Sequence, residues 1–459
     1  MSRAGEVGTM PAMSEPIPAK ETPCVAVIGG ATAGAEVAAR LADRGALVAV
    51  FDQNPRPFGK IEDGLPRWHV NLRKKEYATI RKKLGREGVH FVPNTKVGRD
   101  VDFAELVNDW GFTSVVLANG AWRDRSLPID GIDAFTGRGL VYQNPFIIAF
   151  NHEEEPGYDG PRFAYPDGAL VVGGGLASID VAKVLMLETT RARLKERGLE
   201  ASIGELETRG IPKILATHDL VFEDLGLAGC TILYRRDVED MPLSEIPEGA
   251  TPERAAKVRK GRRKILEKAM AKFCFTLEPL CAPETAIIEG DRLVGLGLRR
   301  TRIENGRVVT TDEVFERRGA CVISSIGSIP EAIPGIDMKG ELFDFSDWDV
   351  GRLEAWPTVF SVGNVVTGKG NIVASRKHAA RVSQGAIEAF LGLGDGHAGE
   401  EALAGAVDEE ATERVAQAAS GVAGASDAER SALLERIAAR QSAVGFDGFD
   451  AWMERHAPA

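Results

Sequence analysis

The sequence predicts an α/β protein made of two Rossmann-like units followed by a helical C-terminal extension, and three observations carry that prediction. A short apolar strand, a Gly-rich turn, a helix and a second strand run in order from Cys24 to Asp52. The same grammar returns at 169–184, where ALVVGGG feeds LASIDVAKVLMLE. From Asp395 onward, 13 acids face 5 arginines, and apolar residues recur at Leu433, Leu434 and Ile437 and again at Phe446, Phe449 and Trp452. That spacing marks amphipathic helix that docks on something.

Along the chain, residues 1–22 are small, polar and Pro-bearing without periodicity, which reads as a flexible tail. CVAVIG is the first strand, Ala35, Ala38, Ala39, Leu41 and Ala42 form one helix face, and ALVAVFD is the second strand. In the second copy the matching strand CTILYRR arrives only after a charged, largely helical insertion at 187–228. Strand-like VISSIG at 322–327 and TVFSVGN at 358–364 follow, then a helix from about Val373 to Leu391. The expected organisation is a tail at 1–22, a first domain at 23–135 resumed at 325–394, a second at 136–324, and an acidic extension at 395–459. A chain of 459 residues suits two domains of ordinary size.

Composition narrows the function. With 67 acids against 56 bases, the net charge of −11 offers no overall field for phosphate, so a general nucleic-acid binder is not expected. The five cysteines, at 24, 230, 274, 281 and 321, form no C-x-x-C pair and no Cys/His cluster. A disulfide scaffold, a zinc ribbon and an iron–sulfur ligand run are therefore not expected, and no metal site is assigned. No apolar run is long enough to cross a membrane and no secretory block opens the chain, so the expectation is a cytoplasmic protein without a membrane span.

The Gly-rich turns point to dinucleotide binding. That task needs a helix N-terminus aimed at pyrophosphate, a turn bare of side chains, and an acid at the end of the second strand for ribose hydroxyls. Gly29, Ala31 and Gly34 fill the three turn positions, and Asp52 stands 23 residues after Gly29. Ala31 adds a methyl where phosphate comes nearest, so Ala31→Gly is expected to bind at least as well unless the loop is rebuilt around Ala. The second copy places Gly173, Gly175 and Ser178 at those positions. Its strand ends in Tyr234, Arg235 and Arg236 instead of an acid. Two guanidiniums there would grip a ribose 2′-phosphate, favouring NADPH over NADH; the alternative is a solvated pair answering Asp237 and Glu239.

Two such turns 144 residues apart, with a return segment near the C-terminus, resemble the two-dinucleotide flavoprotein reductases. More closely, the chain resembles adrenodoxin reductase and the ferredoxin-NADP reductases of that type. The residues that carry this are NPRPFGKIEDGLPRWH at 54–69, VGRDVDFAEL at 97–106, VVLANGA at 115–121, GGGLASIDVAKVL at 173–185, YRR at 234–236 and SVGNVVTGKGNIVASRKHA at 361–379. ILYRRDVEDMP at 232–242 is also similar to the small subunit of glutamate synthase.

The resemblance implies a glutathione-reductase-like pair of domains, with FAD on the first and NADPH on the second. FAD would lie beside Gly29, Ala31, Gly34, Asp52, Gly59 and Gly120, closed over by Gly363, Asn364, Gly370 and Ile372. NADPH would lie on Gly173, Gly175, Ser178, Arg235 and Arg236. His69 and Asp180 match the family's hydrogen-bonded pair near the flavin, and either Glu245 or Glu248 matches the acid that meets the nicotinamide. Trp68 and Trp122 fall next to the flavin walls, where plain packing is the other reading. Asn364 stands where the family places a Trp, and the phosphate loop is altered to GKGN.

Hydride transfer between bound cofactors needs no protein nucleophile, so the lack of a C-x-x-C counts against disulfide-reductase chemistry. The implied partner is a ferredoxin-type iron–sulfur protein. Ferredoxins are usually acidic, and the basic run at 254–272 (Arg254, Lys257, Arg259, Lys260, Arg262, Arg263, Lys264, Lys268 and Lys272) is either its dock or an ordinary solvated helix. Two other functions fit the sequence. One is an electron-delivering subunit of a larger complex with the acidic tail as its assembly element; the other is a flavin or nucleotide sensor without turnover.

Overall fold

The computed structural model describes residues 22–247, 249–368, 370–393 and 424–458. The tail read at 1–22, apart from Thr22, and Glu248 lie outside these. Two five-stranded parallel sheets organise the molecule. β1 (Cys24–Ile28), α1 (Thr32–Asp43) and β2 (Leu47–Phe51) form the first crossover, followed by α2 (Lys60–Asp63), α3 (Val70–Leu84), β3 (Val89–Val92), α4 (Phe103–Asn108) and β4 (Ser114–Leu117). The strand Val359–Ser361 returns to pair with β4, giving the order 359–361, β4, β1, β2, β3. β1 and β2 are buried at every position, so they read as continuous apolar runs without alternation, as parallel strands covered on both faces must.

The chain then leaves through β5 (Arg123–Asp124) into β6 (Leu140–Tyr142), α5 (Gln143–His152), β7 (Leu170–Val172) and the 21-residue α6 (Leu176–Glu196). The insertion folds as α7 (Ile203–Arg209) and α8 (Ile211–Leu215) with short 3-10 turns before β8 (Thr231–Leu233). The basic run forms α9 (Pro252–Phe273), begun by Thr251, whose hydroxyl accepts the Arg254 N–H. β9 (Thr276–Glu278), an antiparallel sheet of β10 (Cys281–Glu289), β11 (Arg292–Glu304) and β12 (Arg307–Arg318), and β13 (Val322–Ser324) complete this half. Its main sheet runs β6, β13, β7, β8, β9. The chain returns through β14 (Ser328–Ile329), which pairs antiparallel with β5, so the outgoing and returning connections form one ribbon between the two sheets.

Each sheet separates two apolar clusters. The extension joins the first sheet on both faces. Trp452 and Met453 pack in the cluster that holds Val25 and Val27, whereas Leu433 and Ile437 pack in the one that holds Ala26 and Ile28. Its helices Asp427–Ala443 and Phe449–Arg455 thus straddle the β3 edge of the sheet. An edge left bare would present unpaired backbone groups; here Gln441 Nε2 donates to the Phe91 carbonyl on β3 at 2.7 Å. No helix among the described residues is long and apolar enough to cross a membrane.

Candidate active site

Parallel strands expose their carboxyl ends on one side of a sheet, and in both units the Gly-rich turn lies on that side, after β1 in the first and after β7 in the second. Both turns open into one cleft of about 2000 Å³, roughly twice the upper end of ordinary small-molecule pockets (about 1000 Å³). Among the helices that begin on it are α1, α6 and a third, Ile372–Val382. Neither α1 nor α6 has a side-chain cap or an acid in its first turn, so their leading N–H groups and positive dipole ends are left for an anion. Asn371 does cap the third helix, accepting the Ala374 N–H at 2.6 Å.

In the first turn, Gly29 has φ +98°, and a Cβ there would lie 2.6 Å from the Ala118 carbonyl oxygen; one on Gly34 would lie 1.8 Å from the Gly29 oxygen. These two glycines let α1 press against the turn. Ala31 occupies the N-cap, and its methyl fills the space before Gly59, whose φ is +48° and where a Cβ would come within 2.9 Å of it. The loop is therefore shaped around Ala31. Asp52 is buried; its Oδ2 accepts from Gly30 N at 2.8 Å and its Oδ1 from Asn54 N at 2.9 Å. Burial pushes its carboxyl up to about 6 against the pull of those two N–H groups. Gly120, Asn364, Gly370 and Ile372 line the same region, while Gly34 and Gly363 lie behind the wall. Gly363 donates its N–H to His378 Nδ1 at 3.1 Å, and burial holds that imidazole down at about 4, so it stays a neutral acceptor.

In the second turn Gly173 meets the Ser325 carbonyl and Gly174 meets the Tyr234 ring, but a Cβ on Gly175 would meet nothing within 4 Å. That is open space where a phosphate would approach. Ser178 is buried behind the wall, its hydroxyl bonded to Ser325. Arg235 is exposed on the cleft and its guanidinium has no hydrogen bond or ion pair among the described residues. Arg236 donates to the Gly306 carbonyl at 3.1 Å. The acids Asp237 and Glu239 are met instead by Arg263, so the Arg235–Arg236 pair does not answer them.

His69 and Asp180 come together from different units, His69 Nε2 standing 4.0 Å from Asp180 Oδ1, both on the cleft. Glu245 also lines it. Trp122 forms part of the wall, whereas Trp68 turns away and packs edge-on against Phe150, with the Lys183 ammonium over its ring.

Sequence reasoning passed over a group at the seam between the units. Lys60 Nζ donates to Asn144 Oδ1 at 3.0 Å and Ser328 Oγ at 3.1 Å and sits over the Trp122 ring. Asn144 in turn donates to the Trp122 carbonyl and to Ser328 Oγ. Burial lowers Lys60 to about 8 and raises Asp124, which accepts the Asn144 backbone N–H, to about 6. The position of Lys60 directly after Gly59 was the one signal available for it. Asn119 was also missed; like Asn364, which the resemblance had placed beside FAD, it lines the cleft with a buried amide oxygen that has no hydrogen-bond partner among the described residues.

Those orphaned oxygens, the uncapped helix starts and the cradle at Gly175 fit bound dinucleotides. All five cysteines are free, none faces another across the cleft, and burial pushes Cys281, in the wall, up to about 11. Among the described residues no His/Cys/Asp/Glu group is arranged to hold a metal ion.

Comparison with known proteins agrees with this geometry. Residues 23–209 match the family described as pyridine nucleotide-disulphide oxidoreductase. The chain is homologous to the NADPH:adrenodoxin oxidoreductase of Arabidopsis thaliana mitochondria, at 24% identity over 79% of this chain and 81% of that protein. It is also homologous to the Escherichia coli glutamate synthase [NADPH] small chain, at 31% identity over 39% of this chain and 37% of that one. The fold matches that of Mycobacterium tuberculosis FprA, solved in complex with NADPH, with a TM-score of 0.64 at 19% identity over 92% of this chain and 91% of FprA.

Proposed function

We propose that this chain, a homologue of NADPH-dependent flavin oxidoreductases, takes a hydride from NADPH onto bound FAD and passes electrons to a ferredoxin-type iron–sulfur protein. The observation that carries this reading is the pair of uncapped helix starts, α1 and α6, opening on one cleft. When bound together, the two cofactors supply the whole redox step, from nicotinamide C4 to flavin N5. The protein binds, orients and keeps water out.

Gly29, Ala31 and Asp52 would hold the FAD pyrophosphate and ribose, and the amide oxygens of Asn119 and Asn364, unpartnered among the described residues, would accept from its polar groups. Gly173, Gly175 and Arg235 hold NADPH, with Arg235 on the 2′-phosphate. Phe58, Ile61, Trp122 and Ile372 supply apolar wall. His69 and Asp180 stand together on the cleft, 4.0 Å apart; His69→Ala is expected to slow electron transfer with FAD still bound. Anaerobic titration with NADPH tests the reading: yellow protein should bleach, and colourless protein that takes up no FAD overturns it.

The docking surface needs correction. Arg262 is buried, donating to the carbonyls of Ser244 and Glu239, and Arg263 is engaged with Asp237 and Glu239. Neither is available to a partner. Arg254, Lys257, Lys260, Lys264 and Lys268 remain exposed along one stripe of α9, as spacings of three and four residues require. An acidic ferredoxin would meet that stripe. Reversing Lys257, Lys260 and Lys264 to Glu should slow reduction of an acidic ferredoxin at low salt and leave a small neutral dye unaffected, because exposed fields fade over about 10 Å at 0.1 M salt.

The similarity to the glutamate synthase small chain, 31% identity over 188 residues, favours a second reading as the electron-delivering subunit of a larger complex. Co-purification with a large oxidoreductase subunit would distinguish it.

A further inference from the structure

One of the functions that fit the sequence makes the acidic extension an assembly element, yet its described helices are spent on the chain's own first unit. Trp452 is buried, and its indole N–H donates to the Pro55 carbonyl at 2.7 Å. Arg440 Nε donates to Thr95 Oγ1 at 2.9 Å and its Nη2 to the Asn94 carbonyl at 3.2 Å. Arg56 reaches the His456 carbonyl at 3.4 Å. The partners of the extension in these bonds, Pro55, Arg56, Asn94 and Thr95, belong to two loops, 52–59 and 93–97, whose other faces line the cleft through Asp52, Asn54, Gly59, Thr95 and Val97.

The two loops are themselves tied together. Thr95 N donates to the Asp52 carbonyl at 2.8 Å, and Asn94 N to the Asn54 carbonyl at 3.3 Å. Asn54 N, one residue before Pro55, is a donor that orients the Asp52 carboxylate. From Arg440 a path of two hydrogen bonds leads through Thr95 to Asp52, and from Trp452 a single bond fixes the peptide beside Asn54. Loops without such support sample many backbone states and lose that freedom when a ligand binds, which lowers affinity.

We infer that the C-terminal extension is an intramolecular brace that pre-orders the Asp52 loop for the FAD adenosine end, with Trp452 and Arg440 as its positioning residues; this rests on the proposed place of FAD. By reciprocity, bound FAD must also hold the extension in place.

The test uses the full-length apoprotein, reconstituted with FAD and followed by quenching of flavin fluorescence. Trp452→Phe keeps an aromatic ring and removes the N–H; Arg440→Ala removes the link to Thr95, and with it an ion pair to Asp100, from a partly exposed site. Each should weaken FAD binding about threefold to tenfold, as loss of one or two hydrogen bonds would, while NADP+ affinity at the second unit stays at the parent value. FAD should also slow tryptic cleavage at Arg430 and Arg436 in the parent, and less so in the variants. Folded variants that bind FAD as tightly as the parent overturn the inference, as does a matched loss of FAD and NADP+ affinity, which would mean general destabilisation. If Trp452→Phe does not fold, Arg440→Ala decides. A parent that binds no FAD would refute the proposed function instead.

Discussion

The two Gly-rich turns solve one steric problem in the same way and then diverge. In each, the first glycine abuts a carbonyl just beyond the neighbouring strand, Ala118 for Gly29 and Ser325 for Gly173. At the third position α1 lies so close that a Cβ on Gly34 would strike the Gly29 oxygen, whereas α6 stands off far enough to admit the Ser178 hydroxymethyl. The first unit is braced from behind by the extension and ends its strand in a buried, doubly bonded Asp52. The second leaves open space at Gly175 and, among the described residues, an unpaired guanidinium on Arg235. The contrast suits one ligand held through many turnovers and another that must leave after each.

The largest effect that would break this comparison is expected from Gly34→Ala. Overpacking costs about 1–3 kcal/mol, and because the clash falls on the phosphate turn, FAD affinity should drop about 10-fold to 100-fold. Ser178→Gly, its counterpart, should change NADP+ affinity less than about threefold, because a hydroxyl behind the wall contributes only a neutral hydrogen bond of about 1 kcal/mol or less to the turn. Equilibrium binding of each nucleotide to both variants checks this; equal losses would erase the distinction.

Next in size is Arg235→Ala. A charge-assisted bond to the 2′-phosphate is worth about 1.5–3 kcal/mol, so KM for NADPH should rise about 10-fold to 100-fold with KM for NADH unmoved. Arg236→Ala should shift it less, since that side chain already serves the Gly306 carbonyl. Equal losses for both coenzymes would make the pair structural.

A pH experiment sharpens the account of the first unit. His378 is held near 4, below the usual 6.5, by burial and by the Arg381 charge. Its neutral form favours the fold, so that stability is fully present above pH 6.5 and is lost as pH falls toward 4. At about 1.36 kcal/mol per pH unit the loss approaches about 3 kcal/mol. His378→Asn keeps an acceptor for the Gly363 N–H without the titration, so the unfolding midpoints of parent and variant should diverge only below pH 6.5.

The smallest effect is expected at Ala31. Since its methyl fills the space before Gly59, Ala31→Gly should change FAD affinity less than about threefold, and weaken it if at all. Tighter binding would restore the simpler view that the methyl only obstructs phosphate.

What was legible in the sequence was what local chemistry dictates. Apolar runs beside glycines marked β1, β2 and β7, and the Gly spacing marked both turns, because a tight strand-to-helix turn restricts side chains wherever it occurs. Lys60, Asn144 and Ser328 were not legible as a group: they are 84 and 184 residues apart and meet only because the outgoing and returning connections pair as β5 and β14. Arg262 and Arg263 looked like their neighbours on α9, and only packing against the Asp237–Ser244 loop separated structural guanidiniums from solvated ones.

By itself, then, the sequence determined the class of each element, the two nucleotide turns, and the amphipathic character of the extension. These follow from backbone sterics and periodicity, which act over a few residues. The tertiary structure decided where the extension docks, which cations remain free, that Ala31 is accommodated by Gly59, and that His69 and Asp180 face each other across one cleft. Each of those depends on contacts between distant segments, and such contacts are set by how two sheets and their covering helices pack, which no local pattern encodes.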